Sequence, residues 1–320
     1  MLGKFTPRID ADRLSSHTSR KNLPVHFCDP SRAEELWRKS LQESEGGPMA
    51  AECAAVLGEK LIGTCVPTDE PFLKACLRAK KYSTEKACKV AVNYTAFRDK
   101  AGWSTSVTAA ALERELRSAF NTLLPYCDVY GHVVLTQRME RLDFQVGSLE
   151  SFQRAGYYLL HRALQRERAQ TCGIALVVDF RGFHFRMLTK IGMSDVKRGV
   201  AMLQDCFPAR LAAIYVLHPP AWLSVIITML RPLVNEKSLD QKFLVVGSDY
   251  SALHECMPKA HLPKDLQAGG TLDFDWSAIV DGWIADEAAA PCDVRSFFNT
   301  SGAARMHSTL PTEGVTVMRT

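Results

Sequence analysis

The chain has 320 residues, 47% of them hydrophobic and 23% charged, the balance of a globular protein with a sizeable core and not of a disordered or fibrous one. Its 39 Lys and Arg against 35 Asp and Glu leave a formal charge of +4, too mild for a dedicated nucleic-acid binder, so any basic surface must be local. Ten cysteines occur without a single CxxC pair, which excludes a zinc ribbon or thioredoxin-type redox pair and points to free thiols in a reducing compartment.

Residues 1–30 mix polar residues, proline and scattered charge without periodicity and read as a flexible N-terminal segment. They lack the apolar core of a secretory signal, and Asp10 and Asp12 oppose a mitochondrial presequence, so a cytosolic protein is expected. Helical signals begin at Ser31, an N-cap with Glu34 at capping-box spacing and Leu36, Trp37 and Leu41 at helical intervals, and stop at the EGGP of Glu45 to Pro48. A second helical set runs from Ala50 to about Trp103. Phe72, Cys76 and Ala79 share one stripe, and Ala87, Ala91, Tyr94 and Arg98 another. The pattern extends through Ala110 to Leu124 and ends at Pro125, giving a helical module over residues 31–124.

Beyond it the period changes. Short β-branched runs at Val129, Gly173, Leu211 and Lys242 predict strands. Helical stretches lie between them: one capped by Ser148, with Phe152, Leu159 and Ala163 on one side, then Met193 to Phe207, then the stretch from Pro219 to Val234. Strand and helix in alternation predict an α/β domain over residues 125–285, built on a mostly parallel sheet with helices packed on it. From Asp286 periodicity is lost, and residues 286–320 read as a flexible tail.

Catalytic signatures are missing where an α/β chain would carry them. There is no GxGxxG turn, phosphate loop or HExxH pair. Gly247-Ser248-Asp249-Tyr250-Ser251 lacks the second glycine of a nucleophile elbow and reads as a turn. Asp179, at the end of GIALVVD, is the best candidate acid or base, but Arg181 offers it an ion-pair partner; His184, His254 and His261 have no companions at metal spacing. No enzyme, metal site or cofactor is predicted.

The most distinctive segment is AWLSVIITMLRPLV, Ala221 to Val234. Trp222, Ile226, Met229 and Leu233 occupy one face, and Leu223, Ile227, Leu230 and Val234 the neighbouring one, which leaves little polar face. Pro220 suits the first helical position and Pro232 marks the end, so the helix is roughly 21 Å long, too short to cross a bilayer. Alone it fits a deep core helix; the other reading is a helix that alternates between a cavity and a membrane surface.

The company this segment keeps favours the second reading. TDEPFLKACLRAKKYSTEKA (Thr68 to Ala87) with Phe97-Arg98 after it, then GHVVLTQRM, GIALVVDFRG, the run from Phe207 to Lys237, KFLVVG and LPKDLQAGGTLDF occur in the order of the CRAL-TRIO lipid-binding family, and the chain resembles that family over about residues 65–285. The resemblance implies a small helical bundle followed by an α/β domain whose sheet floors a large apolar pocket, with the helix around Trp222 to Leu233 as its mobile gate. It implies binding or transfer of one hydrophobic molecule or phospholipid without catalysis, and transient contact with a membrane, in some members one that contains phosphoinositides. On this reading Leu135, Val178, Ile214 and Val216 line the pocket, and Trp222, Ile226, Met229, Leu230 and Leu233 cover it. Arg210, Arg231, Lys237 and Lys242 are candidates for head-group or membrane contact.

Ala209 follows Pro208 where phosphatidylinositol-transferring members carry an acidic residue, and Leu239 stands in place of a threonine; both argue against phosphatidylinositol as ligand. Gln267 and Ala268 are extra residues in the closing motif. The cluster Arg78, Lys80, Lys81, Lys86 and Lys89 wraps round a helix with one interleaved tyrosine, so nucleic acid is not an expected partner. The alternative role is a lipid-responsive adaptor that binds a protein partner.

Overall fold

A computed structural model of the chain describes residues 48–64, 66–100, 107–223, 243–246 and 249–289. Three helices open the described residues: α1 (Pro48–Leu61), α2 (Glu70–Ala79) and α3 (Thr84–Lys100). The two apolar stripes read from the sequence meet here. Phe72, Cys76 and Ala79 of α2 are buried with Ala87, Ala91 and Tyr94 of α3, and the Phe72 and Tyr94 rings lie 5.2 Å apart. Arg98, on the second stripe, covers the Tyr94 ring at 5.5 Å.

The expected helix over Ala110 to Leu124 is replaced by a short 3-10 turn, Ala110–Leu112, a helix α4 (Glu113–Arg117), and then a strand, β1 (Asn121–Cys127). Ala119 adopts a left-handed φ of 57°, which ends the helix, and Leu123 and Thr122 find partners in Leu135 and Thr136 of the next strand. Tertiary pairing overrides the helical pattern of this segment. Pro125 is tolerated because the ladder is irregular between Leu123 and Cys127 and the strand lies at the sheet edge. The strand expected from Val129 starts instead at Val133. Residues 128–131 are a turn in which the Asp128 carboxylate accepts from the amides of Tyr130 and His132.

The sheet has five strands in the order β1-β2-β3-β4-β5, with β2 (Val133–Arg138), β3 (Ile174–Asp179), β4 (Leu211–Leu217) and β5 (Phe243–Val245). β1 pairs antiparallel with β2, and the rest are parallel. Helices α5 (Leu149–Leu164) and α6 (Glu167–Thr171) connect β2 to β3. Helices α7 (Phe185–Leu188) and α8 (Met193–Ala201), with a π-helical turn at Met202–Cys206, connect β3 to β4. Ser148 caps α5 through its side chain, as its spacing predicts.

One continuous core joins the opening helices to the sheet: Leu57, Phe72 and Tyr94 belong to the same buried cluster as Leu123, Leu135, Tyr157 and Leu159. Helix α9 (Ser251–Cys256) and the turns Lys259–His261 and Lys264–Leu266 close the opposite sheet face. The last helix among the described residues, α10 (Trp276–Ala289), continues through Asp286, where periodicity predicts the start of the tail. Its Trp276 donates to the Leu116 carbonyl at 2.7 Å, and Glu287 pairs with Arg162 at 2.7 Å. These anchors come from distant segments, so local periodicity did not reveal them.

A two-row apolar floor as the candidate ligand site

Side chains alternate across a strand, and register decides which alternates line up across the sheet. On one face the pairing produces two rows. Leu123, Leu135, Leu176, Ile214 and Phe243 are in register as one, and Asn121, Gln137, Val178, Val216 and Val245 as the other. The four strand residues predicted to line a pocket, Leu135, Val178, Ile214 and Val216, therefore share a face. Helix α5 covers the β1 side of this floor with Phe152, Ala155 and Leu159, all buried. Toward β4 and β5 the cover thins. Leu176, Ile214 and Val245 stay only half-buried, although Leu176 and Ile214 sit in the middle of the sheet.

Across from Val178 and Val216 stands an aromatic and aliphatic wall of Phe120, Phe152, Phe180, Phe183 and Leu223. Trp222 joins it, with its ring 5.4 Å from Phe183 and 5.9 Å from Phe185. The structure thus brings Trp222 onto the cluster that holds Ile214, Val178 and Val216, and Leu135 belongs to the adjoining cluster beneath α5. Outside the wall, Phe185 is 59% and Met193 44% exposed, beside Arg186 and Lys190. The Lys190 ammonium sits 4.9 Å from the Phe144 ring centre. This exposed lip was not anticipated, although Phe183 and Phe185 alternate in FHF as residues of one extended face would.

Asp179 lies beneath the root of the Trp222 segment, on the other sheet face, and is fully buried. Its carboxylate accepts from the Arg181 amide at 3.0 Å and from the Arg181 guanidinium at 2.9 and 2.7 Å. The His218 Nδ1 lies 2.9 Å away, and the Nε2 of that ring 2.9 Å from the Tyr250 hydroxyl. Arg181 also donates to the Asp265 carbonyl at 2.6 Å, and Arg138 pairs with the Asp265 carboxylate. A carboxylate so fully engaged holds chains together and is not open to a substrate. His218 has a left-handed φ of 48°, so these bonds fix the backbone where β4 hands over to Pro219 and Pro220.

Arg210 lies at the opposite end of β4 from Trp222. Its guanidinium donates to the Thr171 carbonyl, its Nε is buried without a partner, and burial lowers its pKa. Arg166 shares this end; it donates to the Leu124 carbonyl at 2.8 Å and is likewise lowered by burial. Burial also raises the nearby Cys127 thiol to about 11. Of the remaining predicted residues, Ile226, Met229, Leu230, Leu233, Arg231, Lys237 and Lys242 lie outside the described residues. Arg78, from the basic cluster, is bound to Gln170 and Glu167. Among the described residues no group of three His, Cys, Asp or Glu is placed to hold a metal ion, and no helix is long and apolar enough to cross a membrane.

Residues 117–270 match the family model described as CRAL/TRIO domain. The mouse (Mus musculus) protein named alpha-tocopherol transfer protein-like is 31% identical over 217 residues, which are 66% of this chain and 62% of that one. The rat (Rattus norvegicus) clavesin-2 is 27% identical over 208 residues, 64% of this chain and 63% of its own. The chain thus spans just under two thirds of the length of these relatives. A solved structure titled "Crystal structure of Sfh5" aligns with 80% of this chain and 98% of its own, at 15% identity and a TM-score of 0.44.

Proposed function

We propose, from the match of residues 117–270 to the CRAL/TRIO domain model, that the chain is a member of that family, binds a single hydrophobic lipid on the two-row floor and carries it between membranes. The observation that carries this reading is the half-buried state of Leu176, Ile214 and Val245 beside the buried Leu123, Leu135, Val178 and Val216 of the same face. Central strand positions left partly open on an apolar face are surface that a lipid chain can cover. Each CH₂ kept from water is worth ~0.8 kcal/mol, so a lipid leaves a bilayer readily only if it passes into another apolar surface without exposure on the way. The relative named for tocopherol transfer agrees with this reading.

The segment from Ala221 to Val234 is the gate, with Trp222 at its root against Phe183 and Phe185. Docking uses the exposed lip: Phe185 and Met193 enter the interface, and Arg186 and Lys190 face anionic head groups at ~1 kcal/mol each. Arg231, Lys237 and Lys242 add to that charge. Arg210 contributes to head-group binding only if its bond to the Thr171 carbonyl is given up. Ala209 and Leu239 disfavour phosphatidylinositol as cargo.

The test is to purify the full chain, identify co-extracted lipid by mass spectrometry, and follow transfer from donor to acceptor vesicles. We expect one lipid per chain and measurable transfer. Trp222→Asp should abolish loading while leaving the thermal midpoint within a few degrees, because Trp222 is only half-buried. A wild-type protein that is repeatedly empty and moves no lipid would overturn the reading.

A further inference from the structure

The floor is not uniformly apolar. In its second row, Asn121 and Gln137 stand in register with Val178, Val216 and Val245. Asn121 is buried and its orientation is set: its Nδ2 donates to the Phe152 carbonyl at 3.2 Å, which leaves its Oδ1 facing Gln137. Gly156 of α5 lies over this amide, and a Cβ there would sit 3.4 Å from the Asn121 Nδ2, at the limit of ordinary contact. The Gln137 Nε2 donates to the Asn121 Oδ1 at 3.4 Å. That long bond uses one of the two Nε2 hydrogens, and among the described residues no donor reaches the Gln137 carbonyl oxygen. Gln137 is half-buried and next in register to Val178, a member of the aromatic-walled cluster.

We propose that Gln137, oriented by Asn121, is the residue that selects and orients the cargo, and that the cargo bears an uncharged hydroxyl at the end seated there. An amide with an open acceptor and a spare N–H matches a hydroxyl, which both donates and accepts. The two rows hold no cation, so a phosphate or carboxylate seated on the floor would meet no opposite charge. An apolar end pressed against Gln137 would strip its amide of water without replacing the bond, a penalty of the size that separates ligands by about tenfold to a hundredfold. The row is polar at its β1 end and apolar at its β5 end, so it also fixes which way round the lipid lies. This inference rests on the lipid-binding reading above and refines it.

The test uses the full chain and phosphatidylcholine vesicles containing equal amounts of cholesterol, α-tocopherol and oleyl alcohol, each with its O-methyl ether, which keeps the shape and removes the donor. Bound lipids are extracted and counted by mass spectrometry for the wild type, Gln137→Leu and Gln137→Met, with thermal midpoints as a check on folding. The wild type should retain the free hydroxyl member of at least one pair over its ether by about tenfold or more. Both variants should discriminate by less than about threefold among the lipids they retain. Equal discrimination in the wild type and the variants, none in the wild type, or loading of phosphatidylcholine alone would overturn the proposal and leave lipid binding standing. An empty wild type would overturn both.

Discussion

The two faces of one sheet are built to opposite ends. On the face closed by α9 and the turns after it, Ala175, Val177, Ala213, Tyr215 and Leu217 are buried almost without residue, packed by Leu253, Met257, Leu262 and Leu266. Polar groups on that face are paired in a fixed way: Thr122 with Thr136 at 2.5 Å, Tyr215 with Asp128 at 3.1 Å, and Asp179 with Arg181 and His218. On the other face, the alternate residues of the same strands leave Leu176, Ile214 and Val245 half-open, and the Gln137 amide donates to the Asn121 Oδ1 across a long 3.4 Å. Close packing and fixed polar pairs are concentrated on the first face, and the other keeps strand positions that are partly open.

Substitutions on the two faces should separate these roles. The largest loss is expected from Tyr215→Ala, which opens a cavity and strips Asp128 of a buried donor; a destabilisation of about 4 kcal/mol should appear in chemical denaturation. Asp179→Ala follows, at about 3 kcal/mol, because Arg181 and His218 lose their shared partner. Ile214→Ala, on the floor, should cost only about 1 kcal/mol, since the side chain is already half-exposed, and yet lower lipid loading more than Asp179→Ala does at a temperature where both variants are folded. A loss of stability at Ile214 equal to that at Tyr215 would erase the distinction between the faces.

The smallest effect expected is that of pH. Burial holds the Cys127 thiol protonated up to about 11, above its ordinary value of 9.0. A pKa raised on folding contributes stability that is complete below 9.0 and declines as pH climbs towards 11, because the unfolded chain releases the proton first. Denaturation midpoints recorded across that window should fall less steeply for Cys127→Ser than for the wild type. The same burial should make Cys127 slow to alkylate in the folded protein at neutral pH.

Much of the site was legible from alternation alone. Leu135 and Gln137 share parity within VVLTQR, as do Leu176 and Val178, and Ile214 and Val216, so their common face follows from period two once the strands exist. Gln137 was nonetheless passed over, because a lone amide in a strand has meaning only when its register neighbours are known to be apolar. The residues of the Ala119 turn and strand β1 pattern as helix, since Ala and Leu are good helix formers and nothing local announces an edge strand. The partnership of Asp179 with Arg181 lies within reach at two residues' distance; that with His218, and through His218 the link to Tyr250, does not.

By itself the sequence determined the class of the molecule: an opening helical module, a mostly parallel sheet, the residues of each strand that share a face, and a family resemblance carried by motifs in order. These follow from short-range periodicity and composition, which survive in a one-dimensional string. Only the tertiary structure decided which face is sealed and which is half-open, and that α10 is anchored on Arg162 and Leu116. Each of those outcomes depends on segments tens to more than a hundred residues apart meeting in one register, and no local pattern encodes the geometry of that meeting.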